Sequence, residues 1–431
     1  MSQKVPYLLN IKAENFRSEV NVKTSILDPV VANTQNCRFV LAKSGMLHSN
    51  AKIEMGFNIV GQEEGDLFLP LNIGVYAAIK RCVLKVGNTI LSETNDFNQY
   101  MGYRSTLIHP EKQLLIERIL TGRSMYYGQT ESGRLRLANG QGDQFNIKLP
   151  KSDNLRTSPH TRFQIELKEL FPLLQDFEIP LFMLQEQVSI ELFFDKRFTC
   201  SGDLHCTDQL SVDPSSLRLI ADYIYYPEED MENYRKFYEN EKKHYVVHQL
   251  VKTNVSNNDS KVYQRNLGGS NKVVNKVCIM NSSLDESATN INTLNNRFTS
   301  LAPNKVLGLN LIYNDQQLYT RDLKNRSLIS SMCFNANGIP LYIPLQQQTL
   351  SIESSDDSKL DNLFFSDLDG MRNYVCLKLN KNKHINSKGI ELVQNYELDG
   401  DDTIVNRVYL ELKKYFSINN GIITSQYLTK A

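Results

Sequence analysis

The stretch Ser215–Leu250, SSLRLIADYIYYPEEDMENYRKFYENEKKHYVVHQL, lies near the middle of the chain and decides how the rest is read. Leu217, Leu219, Ala221, Tyr223 and Tyr225 fall on one side of a strand at period two. Ile220, Ile224 and Tyr226 fall on the other side, with Arg218 and Asp222. A strand largely apolar on both faces belongs inside a packed sandwich. Pro227 has no N–H to give to a ladder, so the strand ends there. Glu228, Glu229 and Asp230 suit the first turn of a helix, where unpaired N–H groups favour acidic neighbours. Met231, Tyr234, Phe237, Tyr238 and Tyr245 make an apolar stripe at helical spacing. The pattern predicts strand, proline, short helix, and a new strand beginning near Tyr245. One sandwich closes here and a second opens.

The totals agree with two domains. The chain has 431 residues, enough for two or three domains. Lys plus Arg and Asp plus Glu both number 48, so net charge is zero. That excludes a protein whose main task is neutralising phosphates. Hydrophobic residues make up 41%, too many for a disordered chain. Cys37, Cys82, Cys200, Cys206, Cys278, Cys333 and Cys376 are mostly set in apolar runs, which predicts buried thiols in a reducing compartment. No apolar segment has the length of a signal peptide core or of a membrane span.

Outward from the central stretch the β pattern repeats. CRFVLAK, Lys52–Val60, Ile79–Val86, Phe163–Leu174 and Gln187–Phe194 read as strands of the first half, the fourth with a short turn. Gly87-Asn88 marks a hairpin. Asp96–Leu107 and Glu111–Leu120 have helical spacing, an insertion between strands. Gly122–Gly142 reads as a long polar loop. Beyond Leu250, residues 251–272 read as a polar loop region and Lys272–Met280 as a strand. Asn281–Thr299 reads as a surface loop, and VLGLNLIYNDQQL as a strand with a hairpin turn at Asn314-Asp315. Asn373–Asn380, GIELVQNYEL and Val408–Phe416 are further strands, with a last turn at Asn419-Asn420-Gly421. Residues 1–36 are weakly patterned and mixed in charge, which predicts an N-terminal arm that docks on a neighbouring subunit or simply frays.

The string ADYIYYPEEDMENYRKFYENEKKHYVVHQL resembles the segment joining the halves of double jelly-roll major capsid proteins of large nucleocytoplasmic DNA viruses. Ala221, Asp222, Tyr223, Ile224, Tyr225, Glu228, Glu229, His244, Tyr245 and Gln249 hold matching places, while Tyr226 and Pro227 depart from the commonest form. IELKELFPLLQDFEIPLFMLQEQVSIELFF resembles the same family, with its leucine-rich connection ending at Pro180-Leu181. GMLHSNAKIEMGFNI and IKRCVLKVGNTILSE look more like capsid proteins of virophages and Polinton-like viruses.

The resemblance implies a mainly β fold of two tandem eight-stranded jelly-roll sandwiches with a few short inserted helices. Residues 37–226 would form the first roll, 227–248 a linker helix, and 249–431 the second roll. It further implies a homotrimeric, pseudo-hexameric capsomer that tiles an icosahedral virion. Its partners would be neighbouring capsomers, penton and minor capsid proteins, with contact to an internal membrane and no specific nucleic-acid binding. The same fold could instead serve as a transient assembly scaffold. A reading from another class, a bicupin or carbohydrate-active sandwich enzyme, requires metal-binding His and Glu on inward strands.

The candidate chemistry is sparse. Cys200, His205 and Cys206 in CSGDLHC lack the close Cys pairs of a zinc site. Gly268–Lys272, GGSNK, lacks the leading Gly of a phosphate loop and reads as a hairpin turn. Asp367–Gly370 and Asp399–Asp402 do not complete a calcium loop. His48, His109, His160, His244, His248 and His384 stand in no nucleophile motif. The sequence therefore predicts no catalytic, cofactor or metal residues and no cofactor.

Overall fold

The computed structural model describes residues 20–60, 73–105, 162–196, 209–256, 262–283, 305–320, 374–397 and 404–429. Short pieces at 67–68, 120–121, 128–129, 135–136, 148–149, 198, 200–201, 323, 331–332 and 335–336 complete the described residues. The first half lays down β1 Asn21–Leu27, β2 Asn36–Val40, β3 Lys52–Val60, β4 Ile79–Val86 and β5 Thr89–Asn95. It continues with β6 Arg162–Glu166, β7 Val188–Phe194 and β8 Arg218–Tyr225. Pairing puts them in two antiparallel sheets, β1-β8-β3-β6 and β2-β7-β4-β5. The second half supplies β9 Lys243–Ser256, β10 Val262–Gly268, β11 Val273–Ser283 and β12 Lys305–Tyr313. Then come β13 Gln316–Gln317, β14 Tyr374–His384, β15 Ile390–Glu397 and β16 Ile404–Asn419. Its sheets are β9-β16-β11-β14 and β10-β15-β12-β13. Adding eight to each number of the first half gives the second. Both halves are jelly rolls, and the fold is a double jelly roll.

Local chemistry explains the elements. In β4 the residues Cys82, Leu84 and Val86 point inward at period two, and all are fully buried. Leu84 and Phe39 flank Ile190 across the sheet, a buried row through three strands. Burying each of these side chains contributes about 1.5–3 kcal/mol. Gly87, at φ +53°, makes the two-residue turn from β4 to β5. Asn314 and Asp315, both at positive φ, turn β12 into β13 in the same way. Helix α1, Phe97–Ser105, starts where the Asp96 carbonyl accepts the N–H groups of Gln99 and Tyr100. Helix α2, Glu228–Asn240, follows Pro227 with three acids in its first turn and buries Tyr234 and Tyr238.

The structure corrects several expectations. Of the supposed arm, residues 1–19 lie outside the described residues, and the remainder is not separate from the first roll, because Asn21–Leu27 is its first strand and pairs along its own whole length with β8. Val31–Ala32 pairs with β2 as well. The second roll opens at Lys243, inside the supposed linker, since β9 pairs with β16 from Lys243↔Phe416 onward. Residues 251–272 are not a loop region: β9 runs to Ser256 and β10 begins at Val262. The turn Gly268–Lys272 is not a hairpin, because β10 and β11 belong to opposite sheets and it carries the chain between them. Strand β11 also runs on to Ser283, so Asn281 is not the start of a loop. Phe163–Leu174 gives a shorter strand, then helical turns at Leu167–Leu170 and Leu173–Asp176. Within Gly122–Gly142, Gly128–Gln129 and Leu135–Arg136 pair as a small ribbon. The expected helix at Glu111–Leu120 lies outside the described residues apart from its last position.

Candidate assembly surfaces: the inter-roll seam and the first-strand edge

One face of the β9-β16-β11-β14 sheet meets the first roll. Directly opposed residues in an antiparallel pair share a face. Cys376, Cys278 and Tyr409 form one cross-strand row. Lys276, Glu411 and His248 form the next, and Met280 with Arg407 lies on the other side. Helix α1 comes down on these rows. The Tyr100 ring lies 5.3 Å from that of Tyr409 and 4.6 Å from that of His248. The Tyr409 hydroxyl donates to the Asp96 carbonyl at 2.9 Å, and Arg407 Nε sits 3.6 Å from the Asp96 carboxylate.

Glu411 is the charged centre of the seam. Asn275 Nδ2 donates to its Oε1 at 2.6 Å, while Lys276 Nζ and His248 Nε2 lie 3.4 and 3.5 Å from Oε2. Burial by itself raises the carboxyl's pKa, but the hydrogen bond and charge of His248, then Lys276 and Asn275, outweigh it and hold it at about 2. Burial pushes the Tyr100 and Tyr409 phenols well up, so both keep their protons.

Away from α1, the far end of β16 and its hairpin partner β17, Ile422–Tyr427, lie against β5. Tyr245 Oη donates to the Leu91 carbonyl at 2.7 Å, and Lys414 Nζ to the Ile90 carbonyl at 3.0 Å. Burial draws the Lys414 pKa down to about 8, against the pull of Glu93. Gln185 holds the hairpin tip, with its N–H on the Gly421 carbonyl and its Nε2 on that of Asn420, both at 2.8 Å. Helix α2 closes this end: Tyr238 Oη donates to the Glu178 carbonyl at 2.7 Å, and its ring stacks on Phe416. Burial raises the Glu178 carboxyl to about 7, opposed by a hydrogen bond from Tyr226. Backbone carbonyls of one roll are thus satisfied by side chains of the other, which makes the seam part of the fold.

The second surface is the edge of the first roll. Strand β1 closes the sheet on one side, and its pattern is inverted. Asn21, Lys23, Ser25 and Leu27 oppose Tyr225, Tyr223, Ala221 and Leu219, whose side includes the core residues. Val22 and Ile26 point the other way, beside Ile224 and Ile220, and are 56% and 68% exposed. Val20, at the same period-two spacing, is exposed as well. Thr24 ties the strand to Asp222 at 2.6 Å, and Asp28 pairs with Arg218 at 3.0 Å. An apolar strip on an open sheet edge is what proteins avoid unless something covers it.

The residues weighed for chemistry are scattered. His48 accepts a hydrogen bond from the Asn50 N–H, His244 packs on Tyr415, His248 sits in the seam, and His384 lies at the end of β14. The Cys200 backbone pairs with Phe68. His109, His160, His205, Cys206, Asp367–Gly370 and Asp399–Asp402 lie outside the described residues. Cys37, Cys82, Cys278 and Cys376 are buried thiols, and burial pushes that of Cys37 up to about 12. Among the described residues, no group of three His, Cys, Asp or Glu side chains is placed to hold a metal ion. Sequence reading missed the seam because its polar members look like ordinary alternating strand residues.

No protein-family model matches the chain, and no curated protein matches it in sequence. Solved structures do match. The chain superposes on the Faustovirus major capsid protein with a TM-score of 0.58 and 8% identity, covering 95% of this chain and 91% of that one. For the mavirus major capsid protein the TM-score is 0.58 at 9% identity, covering 100% and 96%. For the Sputnik virophage structure it is 0.56 at 11% identity, covering 95% and 89%. At such identities the likeness is one of fold, and it spans both rolls.

Proposed function

We propose that this chain is a structural major capsid protein, which trimerises into pseudo-hexameric capsomers that tile an icosahedral virus shell. The observation that carries this reading is the whole-length match of both rolls to viral capsid proteins. Two rolls joined in one chain give a closed trimer six similar wedges, and closed symmetry requires complementary lateral surfaces. The inverted strand β1 suits such a role, with Val22 and Ile26 offered outward from an otherwise ordinary sheet. The seam suits it too, because a tile must not flex between its halves. Zero net charge limits repulsion among many copies. The work is mechanical, performed in the virion with neighbouring capsomers and penton and minor capsid proteins as partners. In this reading α2 links two rolls, with the first reaching back to Asn21.

The test is the solution mass of the full chain. Three chains of 49.4 kDa give roughly 150 kDa for a closed trimer, with a pseudo-hexagonal outline by electron microscopy. A monomer at all concentrations, with no ordered assembly in the presence of other capsid components, would overturn the reading. The double variant Val22→Lys with Ile26→Lys is expected to weaken trimerisation while leaving the far-ultraviolet circular dichroism spectrum unchanged, because both side chains are exposed in the single chain.

A further inference from the structure

Cys278 and Cys376 are 98 residues apart in sequence and directly opposed on β11 and β14, with their sulfurs 3.3 Å apart. Both are buried. Directly opposed residues on antiparallel strands fall within the backbone separation that a disulfide spans, and a bond needs the sulfurs at about 2.05 Å. Small side-chain rotations close the remaining gap. The pair also has a definite place. It shares a row with Tyr409, whose ring lies under Tyr100 of α1. Both thiols lie near enough to Tyr100 to weigh on the ionisation of its phenol. The first roll therefore lies over a dithiol built into the second.

We propose that Cys278 and Cys376 form a redox-closable cross-strand bridge, a modification site that takes a small-molecule disulfide of the glutathione type as its oxidant. One thiol, as thiolate, attacks a sulfur of the oxidant; a mixed disulfide forms and one glutathione thiolate leaves. The second cysteine, losing its proton, attacks the protein sulfur of that mixed disulfide, and the second glutathione leaves. Two protein thiols are oxidised to one disulfide, one oxidant disulfide is reduced to two thiols, and the protons pass to the departing glutathiones. With the seam shut neither sulfur meets solvent, so the reaction runs through states in which α1 has lifted. The bridge would tie β11 to β14 beneath the seam, fixing the sheet face on which the first roll rests.

The test uses the full-length reduced protein incubated with oxidised glutathione under native conditions, then denatured and alkylated. Alkylatable thiols are expected to fall by two from the seven in the sequence, and peptide mapping should place the bridge at 278–376. Cys278→Ser and Cys376→Ser should each abolish that loss, whereas Cys82→Ser should retain it. Tyr100→Ala should speed bridging several-fold. Should a serine variant fail to fold, the wild-type peptide map decides the matter unaided. The proposal is overturned if all seven thiols remain alkylatable after prolonged exposure, if a stable glutathione adduct accumulates on either cysteine without a bridge, or if a different pair closes. An unchanged rate in Tyr100→Ala overturns the gating by the seam. None of these results depends on whether the chain trimerises.

Discussion

Replacing Glu411 with Gln should remove the buried negative charge that Lys276, His248 and Asn275 surround in the seam. The native carboxyl is held at about 2 against an ordinary value of 4.5, after the partners have overcome the cost of burial. At about 1.4 kcal/mol per pH unit, that difference is worth about 3 kcal/mol at neutral pH. The sign follows from proton counting. Between pH 4.5 and 2 the unfolded chain carries the proton and the folded chain does not, so stability falls as pH falls through this window. It is fully present above pH 4.5. A glutamine side chain has no proton to bind, so the variant lacks this part of the pH dependence. It also leaves Lys276 and His248 facing a neutral group, which adds to the cost. Urea unfolding followed by far-ultraviolet circular dichroism and tyrosine fluorescence measures both proteins, the chain having 21 Tyr and no Trp. The gap between wild type and Glu411→Gln should be about 3 kcal/mol at pH 6–7 and should narrow progressively below pH 4.5. A constant gap from pH 6 down to pH 3, or one below about 0.5 kcal/mol at pH 7 (the range of an ordinary surface change), would refute the role assigned to Glu411.

Other substitutions probe the same architecture. Lys414, drawn down to about 8 by burial, is deprotonated in the folded chain before it is in the unfolded one, so it adds stability as pH rises from 8 toward 10.5. Lys414→Met should flatten that rise when the two unfolding curves are subtracted. Glu178 has the opposite sign: held at about 7, it contributes stability below pH 4.5 that is lost as pH rises through 7, and Glu178→Gln should abolish that loss. Gly421→Ala would place a Cβ 2.7 Å from the Met183 carbonyl oxygen at φ +75°, and thermal melting should show a loss of about 1–3 kcal/mol. Gly268→Ala, whose Cβ would meet nothing within 4 Å, should cost less, since only the strain at φ +78° remains. Ile190→Ala, at the centre of the buried row with Phe39 and Leu84, should cost about 2–5 kcal/mol by the same measurement.

Much of the fold was written locally. Period-two runs such as Ile79–Val86 and Val188–Phe194 need only their own residues to declare two faces, because alternate side chains of a strand must point oppositely. The turns at Gly87, Asn314 and Gly421 are equally local, since positive φ selects for Gly and Asn. Pro227 with its acidic followers set the helix between the rolls. What the tertiary structure decided is everything that depends on which strand lies beside which. The polar-looking Asn21–Leu27 is a strand because β8 offers it a ladder along its whole length, and its Val22 and Ile26 point outward, which no periodicity could reveal. Glu411 becomes a seam charge, and Cys278 and Cys376 become a pair, only when strands far apart in sequence align. Sequence patterning fixes the faces of a strand; the neighbour across each face is a property of the folded whole.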